Sequence, residues 1–324
     1  MEMKKKIKRW IRNIVLLVLF CVVSFVCIIG YSNKKNQDFK ETFYQLSSDK
    51  VDERIRVLQL GDLHNSSFGA DNEKLLHRVS GLRPDLIVIS GDMADKNDES
   101  DHVAVELCKK LTEIAPVYYA YGNHESAKYL GMEMMEKEDL DQLFHVTPDQ
   151  RSEADPAGLE DGLREELEAA GVHVLQNAMD TLNVRNTTID IYGVLTTMPG
   201  AFWDFAGKSY SEFIYTDSEN LKLLVCHEPY IFETYPEGIE QGYWADVVMS
   251  GHRHGGVVRV PRLGGLYAYD RGFLPEFRSS ELCMVYGQYD LGGAPAIVTS
   301  GLTNRGITRV HNQPELVIID INRY

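Results

Sequence analysis

The chain has 324 residues, of which 44% are hydrophobic and 25% are charged, and its formal net charge is −15 at pH 7. This composition is ordinary for a globular protein and excludes extended disorder, while the length allows one large domain or two. Residues 1–35 carry a net charge of +7, so the rest of the chain carries −22. A body this acidic excludes binding to nucleic acid or anionic lipid through bulk electrostatics.

The N-terminal segment is expected to anchor the chain in a membrane. Six basic residues between Lys4 and Arg12 precede an apolar run of 17 residues, 14–30. This run is long enough to cross a bilayer, and the basic residues before it place the N-terminus in the cytoplasm. A cleaved secretory signal is the alternative, but no small-residue cleavage pattern follows. The segments expected are a cytoplasmic basic segment (1–12), a single transmembrane anchor (13–31), a polar stalk (32–52) and an extracytoplasmic catalytic domain (53–324).

The first part of this domain alternates between strand and helix. Apolar runs predict strands over 55–60, 85–90 and 117–121, and helical spacing of apolar residues predicts helices over 72–80 and 102–112. This order implies right-handed crossovers between neighbouring parallel strands. In open α/β sheets, ligands bind at the carboxyl ends of such strands.

The remainder of the domain is richer in strands. Two acidic helical stretches are predicted over 129–143 and 158–170. Later strands are predicted over 172–176, 182–184, 189–194, 222–226, 246–250, 257–260, 297–300 and 316–321, with a turn at 264–267. These strands predict a second sheet packed on the first. The aromatic-rich segment 200–211 fits either ordinary packing or a lid over a substrate.

Five short motifs follow the predicted strands and contain side chains that bind metals. The motifs GDLH, GDMAD, GNHE, CHEP and GHRH supply Asp62, His64, Asp92, Asn123, His227, His252 and His254. Ligands two residues apart project the same way at an extended strand end, so both can hold one cation. A mixture of imidazole, carboxylate and amide oxygen favours Mn²⁺, Fe²⁺ or Zn²⁺ over Mg²⁺ or Ca²⁺. The motifs therefore predict a site for two divalent metal ions and a two-metal hydrolase.

The order of these motifs resembles that of the calcineurin-like metallophosphoesterase superfamily. The later segments GLTNR (301–305) and QPEL (313–316) are similar to C-terminal segments of its bacterial, membrane-anchored phosphodiesterase-like branch. The resemblance implies an α/β fold in which two mixed β-sheets pack as a sandwich flanked by α-helices. It also implies that Asp62, His64 and His254 hold one metal, that Asn123, His227 and His252 hold the other, and that Asp92 bridges them.

The resemblance further implies hydrolysis of a phosphate ester by attack of a hydroxide that bridges the two metals. His124, which directly follows the ligand Asn123, is expected to stabilise the transition state or to protonate the leaving oxygen. By analogy with the family, Asp95 is expected to orient His124. An exposed loop acid is the alternative for Asp95.

Differences between these motifs and those of well-known relatives narrow the range of expected substrates. The second motif lacks the tyrosine ligand of purple acid phosphatases, and Lys96 and Tyr121 stand where protein Ser/Thr phosphatases have arginines. A site without arginine clamps suits a phosphodiester or a pyrophosphate, such as a lipid-linked or envelope-derived phosphate, better than a dianionic monoester. The alternatives are a phosphomonoesterase that uses the same metals and a catalytically silent metal-binding scaffold.

Overall fold

Two mixed β-sheets of six strands each form the body of the protein. The computed structural model describes residues 2–130, 162–176, 178–195, 218–229, 232, 245–268, 271–278, 282–305 and 309–324. The first sheet contains β1 (Lys40–Ser48), β2 (Ile55–Leu60), β3 (Leu86–Ile89), β4 (Val117–Ala120), β5 (His173–Leu175) and β16 (Glu315–Arg323). The second contains β6 (Ala178–Val184), β7 (Thr187–Val194), β8 (Leu221–Cys226), β9 (Val247–Ser250), β14 (Gly287–Asp290) and β15 (Pro295–Val298).

Helices and apolar clusters arrange these sheets in layers. The described helices are α1 (Glu2–Lys35), α2 (Glu73–Leu82), α3 (His102–Thr112), α4 (Asn123–Tyr129), α5 (Gly162–Ala169) and α6 (Pro275–Arg278). Leu75 of α2 and Leu107 of α3 pack on one face of the first sheet. Val88 and Ile191 belong to a cluster between the two sheets, and Phe232 to a third cluster on the far face of the second sheet. The predicted sandwich of two mixed sheets flanked by helices is therefore confirmed.

Strand direction determines what lies at each edge of the first sheet. The strand order is β1-β16-β2-β3-β4-β5, and β2, β3, β4 and β5 run parallel. Strand β16 is antiparallel to β2 and parallel to β1, with Lys40 opposite Glu315. The amino ends of β1 and β16 therefore lie beside the carboxyl ends of β2, β3 and β4. We name this side of the molecule the upper edge.

The stalk predicted over 32–52 is wrong for its central part, because Lys40–Ser48 is strand β1. Nine residues of β1 pair in register with β16. Tyr44 and Leu46 pack against the cluster between the sheets, whereas the Phe43 side chain is 49% exposed. A strand at a sheet edge with one face in solvent needs few apolar residues, so its sequence looks polar.

Most other predicted elements are confirmed with small shifts of their ends, and β2 and α3 have the predicted bounds. The turn predicted at 264–267 is wrong. Gly264–Gly265 forms strand β11, which pairs with β10 (Arg259–Val260), and the turn between them occupies 261–263. Strands β12 (Tyr267–Ala268) and β13 (Gly272–Phe273) form another small hairpin. Of the helix predicted over 129–143, only residues 129 and 130 are described, and they form the end of α4 and its C-cap. The aromatic segment 200–211 lies outside the described residues.

Helix α1 contains the predicted basic segment and the predicted anchor. Among the described residues, only this helix is long and apolar enough to cross a membrane, by length and composition alone. The apolar window of α1 is not buried in the protein. A signal sequence near the N-terminus has the same properties, so the anchor, its boundaries and its orientation stay predictions.

Candidate metal centre

The five motifs meet at the upper edge, where the two sheets adjoin. Strands β2, β3 and β4 of the first sheet and β8 and β9 of the second lead directly into them. Potential ligand atoms lie within 4.8 Å of one another in three groups: Asp62, His64 and His254; Asp92, His227 and His252; and His64 with Asp95 and His124. Asn123 adjoins the second group, since its Oδ1 lies 2.9 Å from Nδ1 of His252. The structure thus brings all seven predicted ligands together, in the groups that the family resemblance implies.

The ligands occupy backbone conformations that most residues avoid. Asp62, His64, Asp92, His252 and His254 all have φ between 46° and 73°. The left-handed region costs an L-residue roughly 1–2 kcal/mol, although Asp and His tolerate it better than most. Backbone strain of this kind persists only where the surrounding structure enforces it, and it is typical of functional sites.

Two glycines allow the backbone to approach the ligands closely. A Cβ atom on Gly122 would lie 2.2 Å from Oδ1 of Asp92, and a Cβ atom on Gly251 would lie 2.5 Å from Oδ2 of Asp62. Such contacts are too short for any side chain, so only glycine fits at either position. This is the physical reason why the GNHE and GHRH motifs begin with glycine.

Buried imidazole nitrogens in this cluster lack partners. Nε2 of His64, Nε2 of His227 and Nδ1 of His254 form no hydrogen bond with the part of the chain that the structure describes. Nδ1 of His227 donates its proton to the carbonyl of Ser90 at 2.6 Å. In the neutral ring, Nε2 therefore carries a lone pair, and it faces Oδ2 of Asp92 at 3.1 Å. Two electron pairs that face each other in a buried site repel unless a proton or a metal ion lies between them, so these residues fit a divalent metal.

The pKa shifts of the histidine and aspartate side chains also indicate that this cluster favours bound positive charge. Burial tends to lower the pKa of His227, but the carboxylates of Asp92 and Asp62 outweigh burial and raise it well above its usual value. Burial would raise the pKa of Asp92, but His227 and the other nearby histidines hold it well below its usual value. Burial raises the pKa of Asp62 to about 6. A bound divalent cation would replace the protons that this cluster attracts.

His124 lies beside the predicted ligands, where its ring meets that of His64 edge to face with the centroids 4.4 Å apart, and Asp95 is close to both rings. Oxygens of Asp95 lie 3.4 Å from Nδ1 of His124 and 3.7 Å from Nδ1 of His64. The hydrogen bond to Nδ1 of His124 comes instead from the amide of Lys96, at 3.2 Å. Burial lowers the pKa of His124, which favours the neutral ring. With Nδ1 as the acceptor, the proton of this neutral ring is on Nε2.

Glu125 organises the centre, although sequence analysis gave it no role. Its buried Oε2 accepts hydrogen bonds from the amides of Asp92 at 2.9 Å and Gly122 at 3.0 Å. Its Oε1 accepts from the amide of Ala94 at 2.9 Å and the hydroxyl of Tyr119 at 2.5 Å. Burial raises the pKa of Glu125 to about 7. Its position three residues after the helix N-cap is the capping-box position, which is the signal that could have identified it.

The segment between β15 and β16 supports the centre from the other side. The amide of Thr303 donates to the carbonyl of Asp62 at 2.6 Å, and Nδ2 of Asn312 donates to the carbonyl of His254 at 2.6 Å. The buried guanidinium of Arg309 donates to carbonyls at the start of the same segment. Sequence analysis recorded this segment only as a family resemblance, whereas the structure places it against two predicted ligands.

An arginine also lies at the rim of the centre. Nη1 of Arg305 is 3.4 Å from the carbonyl of His64, and the guanidinium forms a bidentate ion pair with Asp98 at 2.8 and 3.0 Å. Arg305 is far in sequence from positions 96 and 121, which correspond to the arginines of the protein Ser/Thr phosphatases. Because Asp98 already pairs with Arg305, the charge of this arginine is largely neutralised within the protein.

Comparisons with known proteins identify the family of this chain. The sequence profile of the calcineurin-like phosphoesterase family matches residues 55–256, which include all five motifs. The metallophosphoesterase YkoQ of Bacillus subtilis is 22% identical over 316 residues, which cover 94% of this chain and 99% of its own. The phosphodiesterase YaeI of Escherichia coli is 26% identical over 221 residues, 66% of each chain. A solved structure of a dimetal phosphatase from Danio rerio aligns with 78% of this chain and 88% of its own, at 12% identity and a TM-score of 0.40.

Proposed function

Because the chain belongs to the calcineurin-like phosphoesterase family, we propose that it hydrolyses a phosphodiester or pyrophosphate bond with two divalent metal ions at the outer face of a membrane. One observation carries this proposal. Seven side chains from five strand ends converge on one cluster, and buried imidazole nitrogens among them have no hydrogen-bond partner within the described residues. A purely structural cluster of polar groups at this depth would satisfy its own hydrogen bonds.

Each side chain has a proposed place around the metals. Asp62, His64 and His254 would hold one ion, Asn123, His227 and His252 would hold the other, and Asp92 would lie between the two. The mixture of imidazole, carboxylate and amide favours Mn²⁺, Fe²⁺ or Zn²⁺. Two such ions, when bound, activate a water molecule for in-line attack on phosphorus and neutralise charge on the phosphoryl oxygens.

His124 is the residue that we expect to act on the substrate itself. Its neutral ring has Nδ1 occupied by the amide of Lys96, so Nε2 carries the proton. That proton is available for a hydrogen bond to a phosphoryl oxygen or for transfer to the leaving oxygen. Asp95, 3.4 Å from Nδ1, would stabilise the ring whenever it carries positive charge.

The charges around the centre support a substrate with a single negative charge on the reacting phosphate. Lys96 and Tyr121 replace the arginines of the protein phosphatases, and Arg305 is paired with Asp98. A dianionic monoester would need more free positive charge than the described residues of this rim offer. The end of α1 also reaches the upper edge, which favours a lipid-linked or envelope-derived phosphate near the membrane. No nucleic acid partner is expected, because the body is strongly acidic.

The test is a comparison of two esters. The full-length chain in detergent, loaded with Mn²⁺, should hydrolyse bis(p-nitrophenyl) phosphate faster than p-nitrophenyl phosphate. Activity on the monoester alone would identify a phosphomonoesterase, and bound metal without turnover on any phosphate ester would identify a scaffold. Asp92→Asn should lower turnover at least about a hundredfold and reduce bound metal, since it weakens both sites. Asp71→Asn, an exposed control of the same chemistry, should change neither.

Location is tested separately. Protease added to intact cells should cleave the body of the chain if the body is outside the cytoplasm, and should leave it intact if the orientation is reversed. This measurement does not depend on enzymatic activity.

A further inference from the structure

A small protrusion with exposed aromatic rings follows the GHRH motif. This aromatic hairpin, residues 257–278, comprises strands β10 to β13 and helix α6. The side chains of Tyr267, Phe273 and Phe277 are 39%, 64% and 64% exposed. The rings of Tyr267 and Phe273 meet edge to face, with their centroids 5.2 Å apart. Apolar surface this exposed marks an interaction surface.

Large exposed hydrophobic side chains are concentrated in the aromatic hairpin. Outside α1, the described part of the chain exposes only three others, Phe43, Met179 and Tyr324. These three lie on separate strands or at the end of the chain, and single exposed residues of this kind need no explanation. The three rings of the aromatic hairpin occupy one short segment, so their shared exposure does need an explanation.

A series of close contacts joins the aromatic hairpin to the end of α1. The guanidinium of Arg259, at the base of the hairpin, lies 4.7 Å from the ring centroid of Tyr286. Nζ of Lys40 lies 4.5 Å from the centroid of the same ring. Asn36, the residue after α1, is fixed to the body by a hydrogen bond of 2.9 Å to the carbonyl of Arg309. The hairpin and the end of α1 are therefore neighbours at the upper edge.

The aromatic hairpin is also basic, although the body is acidic. Residues 257–278 contain four arginines against Asp270 and Glu276, a net charge of +2, whereas residues 36–324 together carry −22. The acidic body as a whole is repelled by anionic headgroups, but this segment is not. Aromatic rings beside arginines are typical of segments at a membrane–water interface.

From the exposed rings, the local positive charge and the position beside the end of α1, we propose that the aromatic hairpin docks onto the bilayer that α1 spans. Tyr267, Phe273 and Phe277 then lie at the level of the headgroups. His254 is three residues before the hairpin, so docking brings the metal centre to the membrane surface. The substrate class that fits this placement is a phosphate ester in a lipid headgroup. This inference rests on the proposed function, because it requires α1 to be in the membrane.

Photo-crosslinking in nanodiscs tests this contact directly. The full-length chain is placed in nanodiscs of phosphatidylcholine and phosphatidylglycerol that include a phospholipid with a diazirine at the headgroup end of its acyl chain. After illumination, tryptic peptides are analysed by mass spectrometry. We expect lipid adducts on the α1 peptides and on the hairpin peptides 263–271 and 272–278. Peptide 165–185, which contains the exposed Met179 of the second sheet, should carry none.

Variants identify the side chains that hold the aromatic hairpin at the bilayer. The triple substitution Tyr267→Ser, Phe273→Ser and Phe277→Ser should lower labelling of the hairpin backbone about tenfold, because the rings no longer hold it at the interface. Tyr324→Ser removes an exposed ring at the end of β16, away from the upper edge, and should leave labelling unchanged. Both variants should keep the wild-type rate on bis(p-nitrophenyl) phosphate, which shows that they fold.

The outcomes separate this inference from the proposed function. Adducts on α1 without adducts on the aromatic hairpin would overturn docking and leave the proposed function in place. Links between the hairpins of two copies of the chain, formed by an added bifunctional crosslinker and without lipid adducts on the hairpin, would also overturn docking, because the face would be a protein interface. A lack of adducts on α1 would overturn both docking and the membrane location, whereas the ester assays would still report on hydrolysis.

Discussion

Replacement of Glu125 by Gln should loosen the loop that carries Asp92. In the wild-type protein, four donors point at the two oxygens of this buried carboxylate. Glutamine keeps the shape of the side chain but has only one oxygen. The oxygen is best placed towards the amides of Asp92 and Gly122, and the new NH₂ group then faces Tyr119 and the amide of Ala94.

The expected cost follows from these contacts. The Tyr119 hydroxyl can rotate and accept a hydrogen bond from the NH₂ group, but the buried amide of Ala94 cannot, and one orphaned donor costs about 1–3 kcal/mol. The two hydrogen bonds that remain, from the amides of Asp92 and Gly122, now have a neutral acceptor. Each of them therefore contributes up to about 1 kcal/mol less to stability. A loss of about 3 kcal/mol would lower Tm by about 6–12 °C for a domain of this size. Weaker support of a metal ligand should also lower metal affinity about 10–100-fold.

Two measurements on the full-length chain in detergent check this prediction: thermal unfolding followed by fluorescence, and Mn²⁺ binding followed by calorimetry. Glu73→Gln is the matched control, because Glu73 is exposed at the start of α2 and should change stability by less than about 0.5 kcal/mol. If Glu125→Gln kept both its Tm and its Mn²⁺ affinity at the wild-type values, the hydrogen bonds to Glu125 would not be what holds Asp92 in place.

Three further predictions concern the centre. His124→Ala should lower turnover about 10²–10⁴-fold while bound metal stays near two ions per chain, and loss of metal measured by mass spectrometry would instead make His124 a ligand. Gly122→Ala should abolish activity and destabilise the fold, because the new Cβ would meet Asp92. The control Gly81→Ala in α2, where a Cβ has open space, should be neutral or raise stability by about 0.5–1 kcal/mol. Comparable unfolding curves for the two variants would contradict this account. Chelation should lower Tm, and Mn²⁺ at about 100 times its Kd should restore about 2.7 kcal/mol, so a Tm that does not respond to Mn²⁺ would argue against a metal bound to the folded state.

Local sequence patterns were sufficient for the central strands and for the motif residues. The apolar run Leu86–Ile89 is buried at every residue, so its composition alone identifies a strand. The ligands follow such runs because parallel strands present their carboxyl ends at one edge. Sequence analysis therefore identified both the elements and the place where they meet.

Features that depend on distant partners were not predictable in this way. Strand β1 has the composition of a polar linker, and its partner β16 lies 275 positions further along the chain. The hydrogen bonds of Glu125 to Asp92 and Ala94 join two motifs about thirty residues apart, and the sequence of neither motif indicates that they are in contact. The pairing of Arg305 with Asp98 is of the same kind. In each case the deciding contact is tertiary.

The parallel pairing of β1 with β16 also determines how the body would respond to mechanical load. β1 is the first strand after α1, and its amino end at Lys40 is the end nearer to the helix, so a pull on α1 along the axis of β1 loads this strand first. Such a force shears the evenly spaced ladder between β1 and β16, and its hydrogen bonds share the load instead of opening one after another. The ion pair of 3.0 Å between Lys40 and Glu315 reinforces the point where the force enters. If α1 spans a membrane as proposed, a tether attached in this way would transmit movement of the bilayer to the body without peeling β1 off the edge of the sheet.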